Sequence, residues 1–269
     1  MRIPFVKMHG LGNDFVVLDG RGEALPAMAA GLARGLTDRH TGIGCDQLIV
    51  LEPSEAADFR MRIFNPDGSE VGACGNASRA VALLHGGPAR IETGGGLIEV
   101  RPADGGIAVD MGCPRFRWED IPLAWAMDSL TMPVGWEELE NPGAASVGNP
   151  HVVFFVPDCD AVDLARLGPL IETDPLFPER VNVNVCTIES RNAIRLRVWE
   201  RGAGLTRACG TGACATAVVA MRRGLVEREV RVTLPGGPLT IGWGEDDHIT
   251  MTGPAAESFR GTFDPADFT

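Results

Sequence analysis

Trp199-Glu200-Arg201-Gly202-Ala203-Gly204-Leu205-Thr206-Arg207-Ala208-Cys209-Gly210-Thr211-Gly212-Ala213-Cys214-Ala215-Thr216 reads as a strand end, a glycine-rich loop and a helix start, with Cys209 at the junction. Beyond Gly210 the residues stay small and apolar as far as Met221. Arg222, Arg223 and Gly224 then supply the basic last turn and glycine stop of a helix C-terminus. Cys209 therefore stands at a helix N-terminus. There the unpaired backbone N–H groups and the positive end of the dipole favour thiolate over thiol and can also hold a carboxylate.

The same pattern occurs 135 residues upstream. Arg60-Met61-Arg62-Ile63-Phe64 aligns with Arg195-Leu196-Arg197-Val198-Trp199, and Ala73-Cys74-Gly75 aligns with Ala208-Cys209-Gly210. At this offset Gln47 falls on Asn182 and Asn65 on Glu200. With one more residue of shift, Gly12-Asn13 falls on Gly148-Asn149. The chain is an internal duplication. The expected fold class is α+β: two pseudo-symmetric domains, each a mostly antiparallel sheet wrapped around a central helix. The boundaries are 1–115 for the first repeat and 116–269 for a linker plus the second repeat, with the C-terminal tail packing back on the first domain.

A chain of 269 residues, 45% of them apolar, can bury two cores. The net charge of −12 and pI near 4.9 exclude a nucleic-acid backbone as partner, which needs a basic footprint. The first residues lack a signal-peptide apolar run and no stretch is long enough to span a bilayer, so a cytoplasmic protein without a membrane partner is expected. Seven cysteines without framework spacing point to reduced thiols. Lys7 is the sole lysine, and it lies in the first strand or turn, so a pyridoxal Schiff base is not expected.

In chain order, residues 3–8 and 15–19 read as strands around the loop His9–Asp14, in which Asn13 presents an amide. A helix over 26–36, a buried strand over 48–51 that leaves Gln47 at its mouth, and a strand over 59–64 ending in the turn Asn65-Pro66-Asp67-Gly68 follow. Ala77–Leu84 is a helix opened by Cys74-Gly75-Asn76. Apolar residues nearly encircle this helix and the one after Cys209, so sheet should enclose both. Residues 90–110 give two or three strands, and 115–147 match nothing in the repeat. The second half restarts at Gly148-Asn149-Pro150-His151, with a helix over 163–171, a strand over 180–185, and strands near 230–251.

Two thiols on matched helix N-termini suit stereoinversion across a cleft: one thiolate removes a proton from carbon and the other thiol returns one to the opposite face. The helix N-termini would bind the attached carboxylate, with no metal or organic cofactor needed. Three other readings compete. Cysteines are usually small core hydrophobes, but repetition at two glycine-flanked helix starts argues against that for this pair. Cys209 and Cys214 as metal ligands would point about 140° apart on a helix, with no further ligand cluster nearby. Gly210-x-Gly212-x-x-Ala215 imitates a dinucleotide fingerprint but lacks its repeated βαβ context.

The residues resemble the diaminopimelate epimerase family. The resembling motifs are Met8–Phe15, Phe64–Glu70 leading to Ala73–Asn76, Gly148–His151, Pro178–Asn182, and Glu200–Gly202 leading to Ala208–Thr211. The resemblance implies interconversion of LL- and meso-diaminopimelate on the route to lysine and cell-wall precursors. Cys74 is then the proton donor and Cys209 the base in the forward direction. The implied substrate contacts are Asn13, Gln47, Asn65, Gly75, Asn76, Asn149, Asn182, Glu200, Arg201, Gly210 and Thr211. His151 and Glu200 are implied to tune the thiols. Leu205 departs from the family, where Glu is common, and the absence of tyrosine would shift a homodimer contact to Phe259 or Phe263. Proline racemase and hydroxyproline epimerase are the nearest rivals, but they carry His where this chain has Asn76. A binding protein of the same fold that does not exchange the α-proton is the alternative from another class.

Overall fold

The computed structural model describes residues 2–23, 25–72 and 74–268; Ala73 of the first cysteine motif lies outside the described residues. The chain divides into two compact units, Met1–Val109 with Gly253–Thr269, and Asp110–Thr252.

The first unit opens with β1 (Ile3–Gly10) and β2 (Asn13–Asp19), a hairpin whose turn is only Leu11-Gly12. Both turn residues have positive φ, 57° and 86°. That is the primed turn whose twist matches the flanking strands, with a leucine where asparagine or glycine is usual. The expected loop over 9–14 is thus shorter, and Asn13 sits on a strand end paired with Gly10. Next come α1 (Ala30–Thr37), β3 (Gln47–Glu52), β4 (Phe59–Phe64), β5 (Glu70–Val71), α2 (Gly75–His85), β6 (Ala89–Thr93), β7 (Gly96–Ala103) and β8 (Gly106–Asp110). Helix α1 starts four residues later than its apolar spacing predicts. The segment before it offers no Ser, Thr, Asp or Asn to cap an earlier first turn, and its N-cap, Ala29, makes no side-chain hydrogen bond.

The second unit contains the short hairpin β9 (Gly135–Trp136) and β10 (Leu139–Glu140), then β11 (Gly143–Ser146), β12 (Pro150–Phe155), α3 (Leu164–Glu172), β13 (Asn182–Ser190), β14 (Ala193–Glu200), β15 (Gly204–Thr206), α4 (Gly210–Arg222), β16 (Glu229–Leu234), β17 (Gly237–Trp243) and β18 (Ile249–Gly253). Asp163 caps α3 by accepting from Arg166 N. The chain ends in β19 (Ala256–Phe263), which pairs antiparallel with β1, and a final 3₁₀ turn (Pro265–Phe268).

Strand pairing confirms the duplication residue by residue. β2 runs parallel to β3 with Phe15 opposite Gln47, and β12 runs parallel to β13 with His151 opposite Asn182. Leu48 faces Phe64 as Val183 faces Trp199, and Ile63 faces Val71 as Val198 faces Thr206. β11 pairs with β12 as β1 pairs with β2. The second repeat therefore restarts at Gly143, earlier than the Gly148 expected from sequence. Gly-Ala-Ala-Ser carries no alternation to mark a strand because all four residues are buried. A Cβ on Gly143 would meet Val219 Cγ1 of α4 at 2.4 Å, so the close packing itself selects the small residue.

Each unit encloses one helix. α2 packs on β1, β2, β7 and β19; α4 packs on β11–β14, β16 and β17. Residues 212–220 of α4 are buried without a break, which is why its apolar face has no edge. α3 lies on the other side of β13 and β14, over a core that includes Phe154, Leu164, Leu167, Ile171, Phe177 and Val185. Each such side chain adds roughly 1.5–3 kcal/mol of burial.

Candidate active site

In the first unit, Cys74 is the N-cap residue of α2, in extended conformation, half-buried, with its Sγ 4.0 Å from Asn13 Oδ1. Asn13 is held from both ends. Its Nδ2 donates to Asp46 Oδ2 at 2.9 Å, and its Oδ1 accepts from Asn76 Nδ2 at 3.1 Å. Because a carboxylate only accepts, Asp46 determines which end of the Asn13 amide faces the cysteine: the oxygen. Asp46 is in turn gripped by Arg39 at 2.6 Å, and Arg39 and Lys7 both bind Asp14. Burial acts to raise the Asp14 pKa, but the hydrogen bonds from Arg39 and Lys7 outweigh it and hold the carboxyl at about 2.

Gln47 Nε2 donates to Asn65 Oδ1 at 3.1 Å, and Asn65 Nδ2 donates to Ser69 Oγ at 3.2 Å. These bonds leave the Gln47 carbonyl oxygen as the acceptor at the mouth of β3. Gly75 is the first residue of α2. Arg79, one turn on, is wholly buried and donates to Asn76 Oδ1 at 2.6 Å. Its repeat mate is Cys214. A lone arginine inside an otherwise apolar helix was the signal available in the sequence.

In the second unit, Cys209 is the N-cap of α4, and its sulfur accepts from Gly212 N at 3.4 Å and lies 3.6 Å from Thr211 Oγ1. Gly210 opens the helix. Here the expectation of a ready thiolate meets opposition. Burial is the largest influence and the Glu200 charge adds to it, so the thiol pKa is pushed well above its ordinary value despite the bonds from Gly212 N–H and Thr211. The Glu200 carboxylate, whose own pKa burial raises, accepts from Thr206 Oγ1.

His151 is fully buried and held neutral, with its pKa lowered to about 3 by burial and by the charge of Arg201, against a bond from Asn184. Its Nε2 lies 3.0 Å from Asn149 Oδ1, and Asn149 Nδ2 donates to Thr211 Oγ1 at 3.3 Å. Asn182 donates to Pro150 O at 2.8 Å and accepts from Arg201 N at 3.0 Å. The Arg201 guanidinium is exposed, with one nitrogen on Glu179 O and the others free to clamp a carboxylate. Glu172, absent from the sequence reading, anchors this turn from α3: it is buried and accepts from Trp199 Nε1 at 2.7 Å and from Gly202 N at 3.0 Å.

The structure thus gathers Asn13, Cys74, Gly75 and Asn76 around one helix start, with Gln47 and Asn65 joined to each other. It gathers Asn149, His151, Glu200, Cys209, Gly210 and Thr211 around the other, with Asn182 and Arg201 linked beside them. Each centre offers a thiol, helix N–H groups and fixed amides: the parts of a proton transfer beside a bound carboxylate. Among the described residues the one cluster of metal-ligand type is Asp158, Cys159 and Asp160, and Arg195 is paired to both aspartates. No helix among the described residues is long and apolar enough to cross a membrane.

The sequence profile of the family "diaminopimelate epimerase" matches residues 5–117 and 143–257. A diaminopimelate epimerase of Erythrobacter litoralis is 70% identical, with all of both chains covered. One from Rhizorhabdus wittichii is 66% identical, over 100% of this chain and 98% of the other. Among solved structures, a PhzF-family phenazine biosynthesis protein of Bacillus anthracis superposes with a TM-score of 0.71 at 17% identity, covering 98% of this chain and 99% of that one. That likeness is one of fold.

Proposed function

This chain belongs to the diaminopimelate epimerase family of isomerases, and we propose that it interconverts LL- and meso-diaminopimelate by proton transfer between two thiols, Cys74 and Cys209. The single observation that supports this reading is the matched pair of cysteine-capped helix starts, each backed by fixed amides, in a duplicated topology. Inversion at carbon needs an acid and a base on opposite faces, and the two exchange roles in the reverse direction. In the LL-to-meso direction the Cys209 thiolate takes the α-proton, the electron pair spreads onto the carboxylate, and the Cys74 thiol protonates the other face. Glu200 accepts the proton that Cys209 must lose first. N–H groups at a helix start suit a carboxylate whose charge grows as the carbanion forms.

The remote amino-acid end of diaminopimelate carries its own carboxylate and ammonium, for which the Arg201 guanidinium and the amide oxygens of Gln47 and its neighbours are complementary. A small-molecule enzyme in the cytoplasm, paired as a homodimer through the face bearing exposed Phe259, completes the reading. Proton NMR of LL-diaminopimelate with the protein in deuterated water tests it. The α-proton signal should fall as the meso isomer appears, and Cys74→Ala and Cys209→Ala should each stop inversion. Exchange of proline or hydroxyproline instead, or no exchange with fully reduced protein, overturns it.

A further inference from the structure

In the second unit a buried polar pair occupies positions that are apolar in the first. His151 and Asn184 stand where Phe15 and Ile49 stand in the duplicate, at the same places on the same parallel strand pair, and all four are wholly buried. A buried imidazole and amide are costly unless their bonds are made, so this substitution needs a return. Asn184 Nδ2 lies 2.9 Å from Val152 O and 3.3 Å from Asn182 O, two carbonyls that only accept. They fix the amide with its NH2 toward them. The same nitrogen is 3.1 Å from His151 Nδ1. An amide nitrogen cannot accept, so its two hydrogens, shared among these three partners, meet the lone pair of Nδ1, and the ring proton of the neutral imidazole resides on Nε2.

From there the polarity propagates. Nε2–H donates to Asn149 Oδ1 at 3.0 Å, which turns the Asn149 NH2 toward Thr211 Oγ1 at 3.3 Å. An hydroxyl whose oxygen is already accepting has its own proton to give, and Cys209 Sγ lies 3.6 Å away. Gly212 N–H donates to the sulfur at 3.4 Å, so the sulfur presents lone pairs on this side, and one of them meets Thr211 O–H. We propose that Asn184 is a positioning residue for the second thiol: by fixing the His151 tautomer it orients His151, Asn149 and Thr211 so that their chain ends in a hydrogen bond donated to the Cys209 sulfur. This inference rests on Cys209 acting as a base, because a donor there stabilises thiolate over thiol. The chain also leaves the second Asn149 N–H as the group offered to substrate, a donor that suits a carboxylate.

The charged groups around the chain are Glu200 beside Cys209 and Arg201 near His151, so both must be kept when the chain is tested. The experiment is ¹⁵N NMR of the His151 ring in the full chain, together with a pH titration of the Cys209 ¹³Cβ resonance. In the unaltered protein, Nδ1 should be unprotonated and Nε2 protonated, and remain so to about pH 5. Asn184→Leu should mix the two tautomers. Thr211→Val should move the Cys209 midpoint up by about one pH unit, which corresponds to about tenfold less thiolate below the midpoint. Thr211→Ser should restore it. A proton on Nδ1 in the unaltered protein, or a Cys209 midpoint that Thr211→Val leaves in place, overturns the proposal. If Asn184→Leu does not fold, the native ring spectrum and the Thr211 pair still decide. Absent α-proton exchange with the tautomer and midpoint as stated would instead sink the proposed function.

Discussion

The starts of α2 and α4 were built from one ancestral plan and no longer have the same chemistry. Both place a cysteine in extended backbone before a buried helix. Cys74 is half-exposed and faces the oxygen of an amide that Asp46 holds in one orientation, so its surroundings favour an S–H. Cys209 is 4% exposed, accepts from Gly212 N–H, and sits beside a carboxylate where the first half has neutral Asn65. Duplication supplied two equivalent caps; divergence of the residues one layer behind them gave one a half-exposed thiol beside a fixed amide oxygen and the other a buried thiol that desolvation and the Glu200 charge hold protonated. The thiols themselves are the smaller part of that difference.

The largest test of the comparison is removal of either sulfur. Cys74→Ala and Cys209→Ala should each lower the rate of isomerisation by about 10³-fold or more, measured as meso product formed. A variant that keeps a tenth of the activity would mean that the two centres do not share the reaction. Glu200→Gln should come next. It removes the charge that holds the Cys209 thiol protonated, so the acidic limb of the kcat/KM profile moves to lower pH. The lost proton acceptor should cost about 10²-fold in kcat. An unmoved limb would sever Glu200 from Cys209.

A third test converts one half into the other. His151→Phe combined with Asn184→Ile rebuilds the apolar pair Phe15–Ile49. Replacing buried polar partners together by apolar groups is nearly neutral or stabilising at pH 7. The informative readout is stability against pH. The folded-state pKa of His151 is depressed to about 3 from 6.5, so its contribution is fully present above pH 6.5 and is lost as pH falls toward 3. In that window it should steepen the acid loss by up to about 1.4 kcal/mol per pH unit. Urea titrations from pH 7 to pH 4 should show this slope in the unaltered protein and lose it in the double variant. An unchanged slope would mean that His151 is charged in the native state.

The smallest effect belongs to the first half. The Asp14 carboxyl is held at about 2 against an ordinary 3.8, so its contribution is present above pH 3.8 and lost between there and pH 2. After solvent screening, Asp14→Asn should cost about 1 kcal/mol at pH 7 and nothing near pH 2. It should lower activity less than fivefold, because Arg39 still grips Asp46 behind Asn13. A hundredfold loss would show that Asp14 rather than Asp46 governs the Asn13 amide.

Much of the architecture was legible because the repeat printed it twice. Strand 59–64, with Arg60 and Arg62 alternating with Met61 and Ile63, could be read from alternation, and the helix after Cys209 from its small apolar run and basic end. Strand 143–146 could not. Its residues are small on both faces because α4 lies against them, and periodicity is silent where both faces are buried. The start of α1 was misplaced because apolar spacing says which face a helix can bury and not where the helix begins.

From the sequence alone came the duplication, the α+β class, the family resemblance and the singling out of Cys74 and Cys209 at helix starts, because each is encoded in local spacing or in self-similarity. The tertiary structure alone decided that burial outweighs the helix terminus at Cys209, and that Arg79, Glu172 and Asn184 stand behind the polar groups. It also decided which way the amides of Asn13 and Asn149 point. Those outcomes depend on desolvation and on donors meeting acceptors 61 and 62 residues away along the chain. No reading along the chain can sum such distances.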